Sequence, residues 1–386
     1  MKGDESINMD LYDNFFMLAG PVKIHPRVLQ AMARPAFAHR TPEYSEIIGE
    51  CKELLKYLFQ TKHHVAIISG SGTAGVTSVI ANILNKDETM VTIGGGKFGE
   101  RLGEIAKVYG KNIEISVEWG KAVDLEEVKK VVEENPEAKA IALCHNETST
   151  GVTHPAAEIG KIAKKHDMLF ILDGITSVGG IEVKPDEWGA DFTMMGSQKC
   201  IAAPAGLAAV AVSPRGYEAL EENKTYYLNL KKHIDRMNKD DQTPYTPAIP
   251  LIIALREALR MLKEDGLENR IAYNANLAQA TRNAAKALGL ELFADERFAS
   301  NTVTAIRYPE GIKDKEFRRR LMDEHNVVIA GSQSPYKGVF FRIGHMGITR
   351  IEEMAATFAA IEAMLRKMGY TDFTPGASVG EIVKKM

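Results

Sequence analysis

Cysteine and tryptophan are scarce in this 386-residue chain, at three and two, and neither sign of charge dominates, with 48 Lys and Arg against 51 Asp and Glu. The three cysteines, Cys51, Cys144 and Cys200, are odd in number and far apart, and they form no Cys-x-x-Cys pair. They exclude a disulfide framework and a cysteine zinc site, and they fit a reducing compartment. A net charge of −3 argues against a broad nucleic-acid-binding face, which would show as a basic excess. No apolar run approaches the roughly 20 residues of a membrane helix. The longest candidate, 249–262, is interrupted by Arg256, Glu257 and Arg260. The opening MKGDESINMD has no apolar stretch, so a signal peptide is not expected. These absences lead to the expectation of a cytoplasmic protein that binds neither nucleic acid nor membrane and holds no metal.

What is present fits an ordinary globular chain. The hydrophobic share is 45% and the charged share 26%, and a length of 386 residues suggests two or three domains. From His64 onward, short apolar runs alternate with helical periodicity. Strands are expected at 65–69, 89–93, 112–117, 138–144, 169–172, 192–195 and 208–212. Helices are expected at 74–84, 100–109, 125–134 and 155–166, after an earlier one at 43–59. Continuous apolar strands separated by helices imply a mostly parallel sheet covered on both faces. Residues 226–246 are polar and aromatic without a clear period and read as a long excursion. Beyond them come helices at 250–264, 267–288, 315–325 and 351–368, and strands at 303–306, 327–329 and 339–343. The expected division is a mobile segment 1–14, a large domain 15–255 and a smaller α+β domain 256–386.

Polar loops gather at the carboxyl ends of the expected parallel strands, where ligand sites of such sheets lie. Ser69-Gly70-Ser71-Gly72-Thr73-Ala74-Gly75 matches G-x-G-x-x-G between a strand and a helix. A dinucleotide site would also want an acid at the end of the next strand, which instead ends Ile93-Gly94-Gly95-Gly96. The helix start remains an anion site through its backbone N–H groups, unless the glycines serve only a tight turn. Asp173 follows the strand 169–172 and could also be a helix cap. Lys199 lies between a strand and the small apolar residues Ile201–Ala205, where burial would lower its pKa and make its amine nucleophilic. Phe98, in Gly96-Lys97-Phe98-Gly99, is core or a platform for a flat ring. His145 has no second ligand at metal spacing. An anion cradle, a ring platform, a carboxylate and an isolated lysine together are what pyridoxal 5′-phosphate requires.

On these residues the chain resembles the class V aminotransferases of fold type I, and within them the alanine–glyoxylate and serine–pyruvate aminotransferases. The resemblance runs from about Leu18 to Leu365. It rests on Gly20-Pro21, Ser69-Gly70-Ser71-Gly72, Thr148-Ser149-Thr150-Gly151, Asp173, Gly196-Ser197-Gln198-Lys199 and Phe341-Arg342-Ile343-Gly344. It implies a homodimer with a large domain built on a seven-stranded type of sheet. It implies that Lys199 forms the Schiff base with the cofactor and moves the substrate proton, that Asp173 pairs with the pyridinium nitrogen, and that Phe98 stacks on the ring. Ser71, Gly72, Thr73 and Gln198 would bind the phosphate, Ser149 the ring-hydroxyl region, and Arg342 the substrate carboxylate, with Gly20 beside the substrate. Thr246 would reach the partner subunit's phosphate. The chain departs from some relatives at Thr243, where they carry Tyr, and at Thr73, where they carry His.

Transfer of an amino group from alanine or serine to glyoxylate or pyruvate, by a ping-pong mechanism, is the implied activity. Aspartate or phosphoserine donors are alternatives, and Arg40, in His39-Arg40-Thr41-Pro42, could lie near the site. Cysteine desulfurases are rivals, but they carry His where Phe98 and Gln198 stand and need a late cysteine, whereas none follows Cys200. An NAD-linked oxidoreductase using Gly70–Gly75 is the alternative from another class.

Overall fold

The computed structural model describes residues 14–386 apart from 36 and 223, so the expected mobile segment 1–14 lies, except for its last residue, outside the described residues. The large sheet has seven strands in the order His64–Ser69, Leu207–Val212, Phe192–Gly196, Leu169–Asp173, Ala140–Cys144, Thr89–Gly94 and Lys111–Ser116. Leu207–Val212 is antiparallel to both neighbours, and every other pairing is parallel. The four central strands from Phe192–Gly196 to Thr89–Gly94 are buried almost throughout, as their unbroken apolar runs require of a sheet covered on both faces.

Helices cover the sheet with the expected bounds shifted by a few residues. Pro42–Phe59 starts on Thr41, whose hydroxyl accepts from Tyr44 N, and buries Ile47, Ile48, Leu54, Leu55 and Leu58. Leu125–Glu134 starts on Asp124, whose carboxylate accepts from Glu126 N. The excursion 226–246 contains an unexpected helix, Leu230–Asp240. It starts on Asn229 and buries only Leu230, His233, Ile234 and Met237 of its eleven residues, a stripe too narrow to stand out among its charges. Helices at Pro26–Met32 and Ala377–Val383 are also additions.

A second sheet takes Phe15–Met17, Val327–Gly331, Phe340–Gly344 and Val303–Arg307, in that order. It has its own apolar core, including Leu277, Phe317, Phe341 and Phe358. A boundary at 255/256 falls inside the helix Ile249–Asp265. The buried face of that helix stays in the first core on both sides of the cut, through Leu262 and on to Leu267, so the cores divide between Leu267 and Leu277. The first edge strand belongs to the second sheet, pairing Met17 with Ile329. No helix among the described residues is long and apolar enough to cross a membrane.

Candidate active site

The carboxyl ends of the parallel strands form one rim, and the functional side chains follow directly from them. After His64–Ser69 the chain turns at Ser71 into the helix Gly72–Ile83, and the Ser71 hydroxyl makes no capping bond of its own. The first N–H groups of that helix have no carbonyl partner within it and face an anion as partial positive charge. Phe98 sits in the first turn of Lys97–Tyr109, and Asp173 ends Leu169–Asp173. Gln198 and Lys199 lie in the turn after Phe192–Gly196. Ser71, Gly72, Thr73, Phe98, Asp173, Gln198 and Lys199 all line one cavity.

Burial sets the electrostatics of this cavity. Asp173 is 6% exposed and accepts one hydrogen bond, from Ile175 N at 2.9 Å. Loss of hydration pushes its carboxyl up to about 6, and the Ile175 N–H only partly offsets this. Lys199 is 8% exposed, donates to Ala19 O at 2.9 Å, and is held down at about 8 by burial. Among the described residues neither forms an ion pair. A desolvated carboxylate with acceptor capacity left suits a cationic ring N–H, and a lysine with a depressed pKa suits nucleophilic attack.

Other expected residues lie just outside the lining. Gly20 packs on Lys199: at φ +95°, a Cβ there would collide with Lys199 Cδ and Nζ. Gly20→Ala is therefore expected to destabilise the protein by roughly 1–3 kcal/mol, the cost of strained backbone, measured by urea unfolding. An unchanged midpoint would mean that the chain shifts freely around Lys199. Arg342 is 8% exposed and lies close enough to Lys199 to lower its pKa further. Its Nε and Nη2 donate to Gly331 O at 3.1 and 2.7 Å, and its Nη1 donates to Thr148 O at 2.8 Å.

The structure does not bring Ser149 into the cavity lining. Its hydroxyl donates to Glu147 Oε1 at 2.5 Å and accepts from Lys97 N at 3.0 Å. Thr246 is exposed and away from this chain's cavity. Arg40 also lies elsewhere, donating to Gln242 Oε1 and to the Thr243 and Pro244 carbonyls.

Arg101, Asn146 and Thr176 line the cavity without having been singled out. Arg101 is three residues past Phe98 on the same helix, with its guanidinium 4.9 Å from the Phe98 ring centre. That spacing is the signal that could have found it. Asn146 is fixed by Thr176 and Thr302 hydroxyls, each 2.9 Å from its Nδ2, a link that sequence spacing does not reveal. Among the described residues no group of three His, Cys, Asp or Glu side chains is placed to hold a metal ion.

A mostly parallel sheet whose rim joins a helix start with free N–H groups, an aromatic side chain, a buried carboxylate and a buried amine is the architecture of the fold type I pyridoxal phosphate-dependent transferases. Residues 22–352 match the family "Aminotransferase class-V", and the chain belongs to that family. It is 41% identical to an uncharacterized aminotransferase of Methanocaldococcus jannaschii, over 98% of this chain and 99% of that one. It is 38% identical to a Synechococcus chain named soluble hydrogenase, small subunit, over 94% and 96%. A (S)-ureidoglycine–glyoxylate transaminase of Bacillus subtilis is 34% identical, over 90% of each chain. The crystal structure of the ureidoglycine–glyoxylate aminotransferase from that organism superposes with a TM-score of 0.91, over 96% of this chain and 97% of that one.

Proposed function

We propose that this aminotransferase holds pyridoxal 5′-phosphate in the Lys199 cavity and moves an amino group from a small amino acid, alanine or serine, to a 2-oxo acid such as glyoxylate or pyruvate. The observation that carries this reading is the pair of buried, unpaired groups, Asp173 and Lys199, in one cavity with an anion cradle. The donor set fits the cofactor. Ser71, Gly72, Thr73 and Gln198 would hold its phosphate, Phe98 its ring face, and Asp173 its ring nitrogen.

When bound, the cofactor would supply an electrophilic carbon for the donor's nitrogen and a ring over which the charge of the deprotonated α-carbon can spread. Asp173 keeps a proton on the ring nitrogen. Lys199 Nζ, held by burial at about 8 and so far easier to deprotonate than an ordinary lysine, would be the base that removes the α-proton and delivers it to the cofactor. Arg342 grips the carboxylate. Of its five N–H groups three are used by Gly331 and Thr148, which leaves one on each terminal nitrogen, the number a bidentate carboxylate takes. Donor and acceptor share this clamp in turn, which gives ping-pong kinetics.

A homodimer completes the site in this reading. Thr246 is exposed and follows Tyr245, whose ring packs on the exposed Tyr226 and Tyr227, and Arg40 fixes the carbonyls of Thr243 and Pro244, so the segment would be presented outward toward a partner's phosphate. One observation favours acidic donors as a second reading: the Arg101 guanidinium lines the cavity with no carboxylate in ion-pair contact among the described residues.

The purified protein is expected to be yellow, and borohydride should bleach the colour and fix the cofactor to Lys199, seen as a mass shift on the peptide that carries it. Tightly bound NAD with no pyridoxal would sink the reading. A panel of amino donors against glyoxylate, pyruvate and 2-oxoglutarate then separates alanine and serine from aspartate.

A further inference from the structure

Glu147 is the most heavily hydrogen-bonded carboxylate at the rim of the cavity, and no role has been given to it above. It is 0% exposed. Its Oε2 accepts from Phe98 N and Gly99 N, both at 2.9 Å. Its Oε1 accepts from Ser149 N at 3.0 Å and Ser149 Oγ at 2.5 Å. Four donors therefore fix both oxygens, and two of them are the orphan N–H groups that open the helix Lys97–Tyr109. A buried carboxylate is stable there because it meets the positive end of that helix and is fully hydrogen-bonded.

The same turn reaches the substrate clamp. Thr148, between the two residues of this cage, offers its carbonyl to Arg342 Nη1 at 2.8 Å. The fit around Glu147 is close: a Cβ at Gly96 would stand 2.5 Å from both Glu147 Cγ and Ser149 Oγ. The chain must be glycine there for the helix carrying Phe98 to approach the 147–149 turn.

We infer that Glu147 is a positioning residue that sets the ring platform at Phe98 and the carboxylate clamp at Arg342 in register. One oxygen of Glu147 fixes the backbone of the platform, and the other fixes the turn whose carbonyl aims the clamp. Neither substrate nor cofactor needs to touch it. The inference rests on the cofactor reading above, and it adds that cofactor affinity and substrate-carboxylate affinity share one support.

The test uses Glu147→Gln, which keeps the shape of the side chain. An amide has one oxygen, so its NH₂ must face either the Phe98 and Gly99 N–H groups or the Ser149 donors. The apoprotein is titrated with pyridoxal 5′-phosphate by absorbance, and KM and kcat are measured for the best amino donor with the cofactor saturating. The dissociation constant for the cofactor and the donor KM should each rise about tenfold, the size of one lost hydrogen bond to a charged group, with kcat changed less. Ser149→Ala, which removes one of the four donors and leaves the carboxylate, should move both constants the same way by about threefold. It carries the test alone if Glu147→Gln does not fold.

Glu362→Gln is the control for a merely structural effect. Glu362 makes a similar cage far from the cavity, accepting from Gly376 N, Ser378 N and Ser378 Oγ. Its loss should lower the melting temperature and leave both constants unchanged. Unchanged cofactor affinity and KM in Glu147→Gln and Ser149→Ala, alongside a lowered melting temperature, would overturn the inference and make Glu147 scaffold only. No cofactor binding by the unaltered protein would overturn the cofactor reading itself, and the coupling with it.

Discussion

Asp173→Asn is expected to lower turnover by roughly 10²–10⁴-fold, the range one well-placed proton-holding group contributes, while the apoprotein becomes more stable at neutral pH. The two effects share a cause. The carboxylate is buried and without an ion pair, so its charge is costly until a cationic ring nitrogen arrives. Its pKa is raised from 3.8 to about 6 in the folded chain, which corresponds to about 3 kcal/mol at neutral pH. Below the unfolded value the group is protonated in both states and the cost vanishes. As pH rises from about 4 to 6 the unfolded chain releases the proton first, and the folded apoprotein loses stability over that window. Asn carries no such charge. Urea unfolding of the two apoproteins should therefore show the variant ahead at pH 7 and level near pH 4. Near-normal turnover in Asp173→Asn would reduce this residue to a cap on Ile175 N.

Arg342→Ala should reduce kcat/KM by roughly two to three powers of ten for every amino donor alike, because each presents the same α-carboxylate. That corresponds to about 3–4 kcal/mol, as for truncating one partner of a desolvated charge pair. The cofactor should still bind. Arg342→Lys should recover only part of the loss: an ammonium cannot keep the Gly331 and Thr148 carbonyls and also offer a two-pronged face to a carboxylate. Steady-state kinetics over a donor panel decides the matter. Harm confined to dicarboxylic donors would make Arg342 a selector of side chains. It would then turn attention to Arg101, beside Phe98, as the group that acts on the α-carboxylate.

The parts of the site that lie next to a strand end in sequence were legible, because an apolar run followed by a polar loop is both a local pattern and a spatial address. Asp173, Lys199 and the Ser71–Thr73 turn are found that way. Arg342 was expected only through its motif, since its strand belongs to another sheet; it lies near Lys199 but outside the cavity lining. The parts made by long-range contact were not legible. Ser149 was expected at the ring-hydroxyl region, yet its hydroxyl is already committed to Glu147 and Lys97, a pairing that no spacing rule supplies. Arg40 carried the thought of a second carboxylate site, but it is occupied with three acceptors in 242–244. The helix Leu230–Asp240 was missed for a different reason. Its buried face, Leu230, His233, Ile234 and Met237, holds only three apolar residues, and eight of the eleven residues of the helix are polar or charged. The helix Ile249–Asp265 was found, but a boundary drawn from a change in texture cut it, because a single apolar face gives no sign of which core it joins.

The short strand Phe15–Met17 ends where Ala19 offers its carbonyl to Lys199, and it edges the same sheet in which Arg342 sits opposite Ala330. The segment that shelters the amine and the strands that carry Arg342 are thus one hydrogen-bonded piece. If Arg342 is the clamp proposed above, its occupancy and the proton on the amine are linked variables, and the linkage runs both ways. If a bound carboxylate changes the proton affinity of Lys199 by some factor, protonation of Lys199 changes carboxylate affinity by that same factor. A substrate carboxylate near Lys199 also brings negative charge toward it and partly cancels the Arg342 field that lowers its pKa. Binding of simple carboxylates to the apoprotein, where Lys199 is a free amine, should accordingly carry a pH dependence that belongs to the lysine rather than to the carboxylate.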